Sequence, residues 1–156
     1  MGDDNIWTDS WDPPTEDWSG GGAVSKLLPR AAERPRLGAT VYELDRGDFV
    51  IYHFHHAAEE LLVVLRGQPT LRTPQGERQL AAGDAVHFPV GPEGAHGLRN
   101  DTDEPVRFLV ASTISSPEVV EYPDLRQVTA QARTGSLTGE RLWFIHDVEP
   151  AQDVTE

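Results

Sequence analysis

From Ala23 onward, short apolar runs alternate with polar or Gly/Pro turns at roughly ten-residue spacing. Val, Leu, Ile, Phe and Tyr dominate the runs at Thr40–Leu44, Phe49–His55 and Glu60–Arg66. Pro69–Thr73 and Glu77–Leu80 flank Pro74-Gln75-Gly76, which predicts a hairpin. Ala85–Phe88, His96–Asn100 and Val106–Ser112 follow, separated by Gly/Pro or Asn/Asp turns. None of these stretches has a helical period. Many short antiparallel strands with such turns predict an all-β domain: a sandwich, barrel or jelly roll. After Ser115 the pattern weakens. Asp124–Ala132 reads as one helical turn or more, and Arg141–Asp147 as a strand. The organisation expected is an N-terminal arm over 1–22, a β barrel over 23–115 and an extension over 116–156 that packs on it.

Charge adds the next distinction. The 156 residues carry 13 Lys+Arg and 26 Asp+Glu, a net charge of −13. That balance argues against a nucleic-acid partner, because phosphate binding needs Lys and Arg to displace counterions. It argues against an anionic membrane surface for the same reason. No run approaches the roughly 20 apolar residues of a membrane span, and the acidic N-terminus does not read as a secretory signal. The expected location is cytoplasmic. Six of the acids lie within residues 1–22, which hold no base. The same segment carries Trp7, Trp11 and Trp18. Two readings follow: a solvated acidic tail, or an arm whose indoles dock on the domain or on a partner subunit.

Zero Cys removes disulfides, thiolate metal sites and thiol nucleophiles, so any metal here has nitrogen and oxygen ligands. Three of the six His fall in His53-Phe54-His55-His56. Strand alternation puts His53 and His55 on one face, about 6.6 Å apart. Phe49 and Ile51 share that face by parity, which makes it the interior one. Two imidazoles in an apolar interior need partners, and a divalent metal is one. Glu60 opens the next run, and a hairpin of this length can return it beside the pair. A fourth ligand can come from His96, behind the Pro89–Gly94 loop.

These residues carry a resemblance. Gly47, five residues, His53-Phe54-His55, four residues, Glu60, six residues and Gly67 resemble the first cupin motif. Gly83, five residues, Pro89-Val90-Gly91, four residues, His96, three residues and Asn100 resemble the second. One departure is the gap of four before His96, where the plainest motif has two. The resemblance covers about Thr40 to Ser112. It implies a double-stranded β-helix, a small jelly-roll barrel. It also implies a divalent transition metal (Zn, Mn, Fe, Ni or Cu) held by His53, His55, Glu60 and His96. Such a set leaves open positions on the metal for a small-molecule ligand.

Each neighbouring group has a plainer reading. His56 points opposite to His55 and reads as surface. Glu59 rivals Glu60, but only Glu60 keeps the spacing to Gly67. His87 and Glu93 are the two acid/base candidates, each weighed against simple solvent exposure. Arg99 is out of phase with His96, His146 reads as structural, and Asn100 as a turn residue. Function stays divided among a metal-dependent enzyme (isomerase or epimerase, decarboxylase, dioxygenase), a non-catalytic small-molecule sensor, and a metal-free sugar-binding cupin. The core also resembles small bacterial cupins compared with mannose-6-phosphate isomerases, but no phosphate loop or Lys/Arg cluster accompanies it. Edge strands and the Trp arm predict a homodimer.

Overall fold

The computed structural model describes residues 5–13, 22–28, 36–132 and 142–148. Trp18 and most of the glycine run that ends the arm lie outside them. The strands are β1 (Val24–Leu28), β2 (Leu37–Leu44), β3 (Phe49–His55), β4 (Glu60–Arg66), β5 (Thr70–Thr73), β6 (Gly76–Gln79), β7 (Ala85–Phe88), β8 (His96–Arg99), β9 (Val106–Thr113), β10 (Glu118–Tyr122), β11 (Gln127–Ala132) and β12 (Leu142–Asp147). They form two antiparallel sheets, ordered β1-β2-β9-β4-β7 and β12-β11-β10-β3-β8-β5-β6. The sheets face each other across a core of Leu44, Leu62, Val64, Leu71, Leu98 and Phe108, each at most 2% exposed. Each such side chain contributes about 1.5–3 kcal/mol by leaving water. The jelly-roll expectation is met, and the hairpin at Pro74–Gly76 forms with Thr70 opposite Gln79.

Three expectations change. Asp124–Ala132 is not helical. Residues 123–126 form a tight turn, with Arg126 at φ 53, and β11 returns along β10 from Gln127 opposite Tyr122. The polar–apolar mixture there is that of a half-exposed ribbon, which short windows confuse with a helix face. Strand parity also fails at the start of β3. The register shifts between Val50 and His53, so Val50 packs on the core while Phe49 is 42% exposed. A bulge of this kind exchanges the two faces of a strand. Finally, β3 and β4 are not a hairpin. Residues 56–59 cross from one sheet to the other, and β4 pairs with β7 and β9.

Two devices fix the strand that carries His96. Gly94 lies so close to the preceding loop that a Cβ there would sit 1.8 Å from the Pro89 carbonyl oxygen. At the far end, Asn100 is fully buried. Its Nδ2 donates to the Leu44 and Glu104 carbonyls, and its Oδ1 accepts from the amide and hydroxyl of Thr102. Asn100 is thus the turn residue the sequence suggested.

Residues 5–13 lie against β1 and β9. The Lys26 Nζ, on a side chain 3% exposed, donates to the Asn5 and Thr8 carbonyls. Arg107, equally buried, meets Asp9 Oδ1 at 2.6 Å and Glu43 Oε2 at 2.7 Å. Trp11 places its ring 4.9 Å from both cations, whereas Trp7 is 58% exposed.

Candidate metal centre

The interior between the two sheets gathers three of the four predicted ligands. One ligand atom from each of His53, Glu60 and His96 lies within 4.8 Å of the others. The histidines come from neighbouring strands, with His53 of β3 in register with His96 of β8. Their rings are 4.6 Å apart. Glu60 reaches them from the opposite sheet, its Oε2 3.1 Å from His96 Nε2.

Each imidazole is oriented by its own chain. His53 Nδ1 lies 2.7 Å from the Ile51 carbonyl oxygen, and His96 Nδ1 lies 2.9 Å from that of Gly94. A carbonyl can only accept, so in both rings Nδ1 carries the proton. Nε2 is therefore the available donor of each ring, and that of His96 faces the Glu60 carboxylate. Phe88 stacks flat on His96, with ring centroids 3.7 Å apart and planes 4° from parallel.

His55 stands beside this group rather than inside it. Its Nε2 is 3.4 Å from Glu60 Oε2, and its Nδ1 is 3.6 Å from Glu118 Oε1. Neither ring nitrogen has a hydrogen-bond partner among the described residues, nor does Glu118 Oε2. Burial, then the neighbouring His96 and His55, push the His53 imidazole down to about 3. Burial lowers His55 too, but the Glu118 and Glu60 carboxylates outweigh it and push that imidazole up to about 9. For Glu60, burial raises the carboxyl, yet His55 and His96 hold it well below the usual carboxylate range.

The donor set suits a transition metal. Two imidazole nitrogens and one carboxylate oxygen converge with their lone pairs inward, and further ring nitrogens stand unsatisfied next to them. Imidazole and carboxylate together accept Zn, Fe, Ni, Cu or Mn. The cation would replace the protons that otherwise have to neutralise this cluster.

The remaining candidates lie elsewhere. His87 is exposed and 3.6 Å from Glu59, which is exposed as well. Glu93 is also exposed and, with His87 and Arg78, lines a separate cavity of about 270 Å³. The buried Phe88 lines the same cavity. His56 pairs with Glu121 at 3.2 Å on the outer side, Arg99 pairs with Glu77 and Asp101, and His146 is exposed. Glu118 is not among the residues the sequence singles out. It is 4% exposed, and its only signal is a carboxylate two residues before Val120 in a weakly patterned strand.

Fold, motifs and site agree on a class. Residues 40–112 match the cupin domain family, and the chain belongs to the cupins. A sugar phosphate isomerase of the cupin superfamily from Silicibacter pomeroyi is similar at 27% identity. Its TM-score is 0.70, over 83% of this chain and 82% of that one. A provisionally named sugar phosphate isomerase from Acidithiobacillus ferrooxidans is 30% identical, with a TM-score of 0.68 over 80% of this chain and 76% of that one. The polyketide cyclase RemF from Streptomyces resistomycificus shares the fold at 23% identity and a TM-score of 0.54, over 63% and 71% of the two chains. No curated protein matches the chain. Among the described residues, no helix is long and apolar enough to cross a membrane.

Proposed function

We propose that this cupin holds one divalent transition metal through His53, His55, Glu60 and His96 and presents it to a small organic molecule. The observation that carries the reading is the convergence of one donor atom each from His53, Glu60 and His96 within 4.8 Å, with both imidazole Nδ1 atoms committed to carbonyls. When bound, the metal supplies a Lewis acid that polarises a substrate oxygen. The chain's own part is to orient the two imidazoles from β3 and β8, bring a carboxylate from β4, and exclude water with Phe88. An isomerase acting on a hydroxy-carbonyl compound of the sugar class is the reaction we favour. The similarity to the two sugar phosphate isomerases supports it. Whether the sugar carries phosphate is a separate arm of the test, because Arg99 of β8 and Arg72 of the adjacent β5 already face carboxylates.

Elemental analysis of protein purified without an affinity tag tests the metal. We expect about one equivalent, lost in His53→Ala and in His96→Ala. Absence of a stoichiometric transition metal from the wild type would overturn the proposal. Loaded protein is then incubated in D₂O with sugars and sugar phosphates, and deuterium incorporation beside the carbonyl is read by NMR. Exchange that needs the metal supports isomerisation, and metal uptake without exchange on any of them leaves a binding module.

A further inference from the structure

The three motif histidines are not oriented in the same way. His53 and His96 each place Nδ1 on the carbonyl two residues earlier in the chain, at 2.7 and 2.9 Å. His55 has no such bond, and neither of its ring nitrogens is partnered. The group facing its Nδ1 is the carboxylate of Glu118, at 3.6 Å. Glu118 reaches that place by register. Strand β10 pairs with β3 with Val120 opposite His55 and Glu121 opposite Phe54. Alternation then turns Glu118, Val120 and Tyr122 inward, and the Tyr122 ring lies 5.9 Å from that of His53. Glu121 turns outward to His56.

A carboxylate 4% exposed is costly unless it is paired. Among the described residues no Arg or Lys pairs with Glu118. Its Oε1 accepts one long bond from the Ala57 amide at 3.3 Å, and its Oε2 accepts none. The unsatisfied imidazole and the unsatisfied carboxylate therefore stand next to each other beside the ligand cluster. A small rotation brings 3.6 Å into the hydrogen-bond range of about 2.7–3.2 Å. With its proton held on Nδ1, His55 would have a lone pair on Nε2, the atom 3.4 Å from Glu60.

We propose that Glu118 is a positioning residue of the metal centre: its carboxylate accepts the His55 Nδ1–H and aims His55 Nε2 at the metal held by His53, Glu60 and His96. The inference rests on the metal reading above. Two ligands are then set by carbonyls two residues earlier in the chain, and the third imidazole by a strand more than 60 residues later. Carboxylates in this role fix the tautomer and strengthen the ligand, and their loss weakens metal binding about 10- to 100-fold.

The test is Co²⁺ binding to the full chain, read by calorimetry and by the visible Co²⁺ bands, in a cycle of Glu118→Ala, His55→Ala and the double variant. Glu118→Ala is expected to lose about 10- to 100-fold in affinity, with its bands moving towards those of His55→Ala. In the His55→Ala background, removing Glu118 should cost nothing more. Equal losses in both backgrounds, or an unchanged affinity and spectrum in Glu118→Ala, would overturn the proposal. If Glu118→Ala does not fold, Glu118→Gln takes its place. It keeps the shape and one acceptor, and should show a several-fold loss that vanishes without His55. No loss, or the same loss in both backgrounds, again overturns it. A wild type that takes up no Co²⁺ removes the metal reading itself. Uptake that ignores Glu118 removes this inference alone.

Discussion

Asn100 is the residue where a single side chain ties the strand of His96 to the rest of the barrel. Its amide closes the end of β8 onto the carbonyls of Leu44 and Glu104, at 3.1 and 2.9 Å. Its oxygen takes two bonds from Thr102, at 2.9 and 2.7 Å. Asn100→Ala removes all four. The Leu44 carbonyl belongs to a residue with no exposed surface, so no water replaces the lost donor there. Leaving such a group short of a partner costs about 1–3 kcal/mol. Glu104 is exposed and Thr102 half-buried, so water can compensate there, and each of those bonds contributes towards the low end of about 0.5–1.5 kcal/mol. The sum is about 3 kcal/mol, a large part of a domain's stability of about 5–15 kcal/mol. Equilibrium urea unfolding at pH 7 measures it. With a slope of about 1–3 kcal/mol per molar, the midpoint should fall by about 1–3 M. Asn100→Asp sharpens the test, because it keeps the volume but turns a carboxylate towards the two carbonyls. It should be at least as damaging as Ala at pH 7 and should recover, relative to wild type, as pH falls towards the ordinary Asp value of about 3.9. A loss below about 1 kcal/mol for Asn100→Ala, or an Asp variant more stable than the Ala variant at pH 7, would mean that Asn100 does not hold the end of β8 through these bonds.

Chelator-treated protein should show a pH dependence set by His55. Its pKa is raised from 6.5 to about 9, so its contribution is fully present below 6.5 and disappears as pH rises through about 9. Melting temperatures from pH 6 to 10 should fall across that window, and His55→Asn should flatten the decline. Deletion of residues 1–13 uncovers Lys26 and Arg107 and removes the Trp11 ring that lies 4.9 Å from both. A lower calorimetric melting temperature is expected, and an unchanged one would mean the docked segment contributes nothing to folding. Light scattering should report a homodimer. Strand β12 is a sheet edge that leaves Phe144 and Ile145 more than half exposed, and a monomeric mass would exclude the dimer.

Much of this protein is local chemistry and can be read directly. Period-two alternation and Gly/Pro turns specify short strands, and the hairpin at Pro74–Gly76 forms where its turn residues predict it. The His-x-His pair, Glu60 and His96 stand out because polar donors recur at fixed distances from turn glycines. The absence of Cys limits any metal site to nitrogen and oxygen donors. What stayed hidden depends on which strand lies beside which. Val50 rather than Phe49 faces the core because a bulge against β8 shifts the register of β3. Glu60 meets the histidines from the opposite sheet, since residues 56–59 carry the chain from one sheet to the other instead of turning it back beside β3. Asp124–Ala132 forms a turn and a strand because β10 and β12 offer it ladders on both sides. Glu118 and Glu121 look alike in Glu-Val-Val-Glu-Tyr, and alternation alone cannot say which is buried. Pairing of Val120 with His55 decides it, sending Glu118 to the ligand cluster and Glu121 to the surface. Residue type and spacing act within a strand, so they determine which donors exist. Register and sheet assignment are set by contacts between distant segments, and only those determine which donors meet.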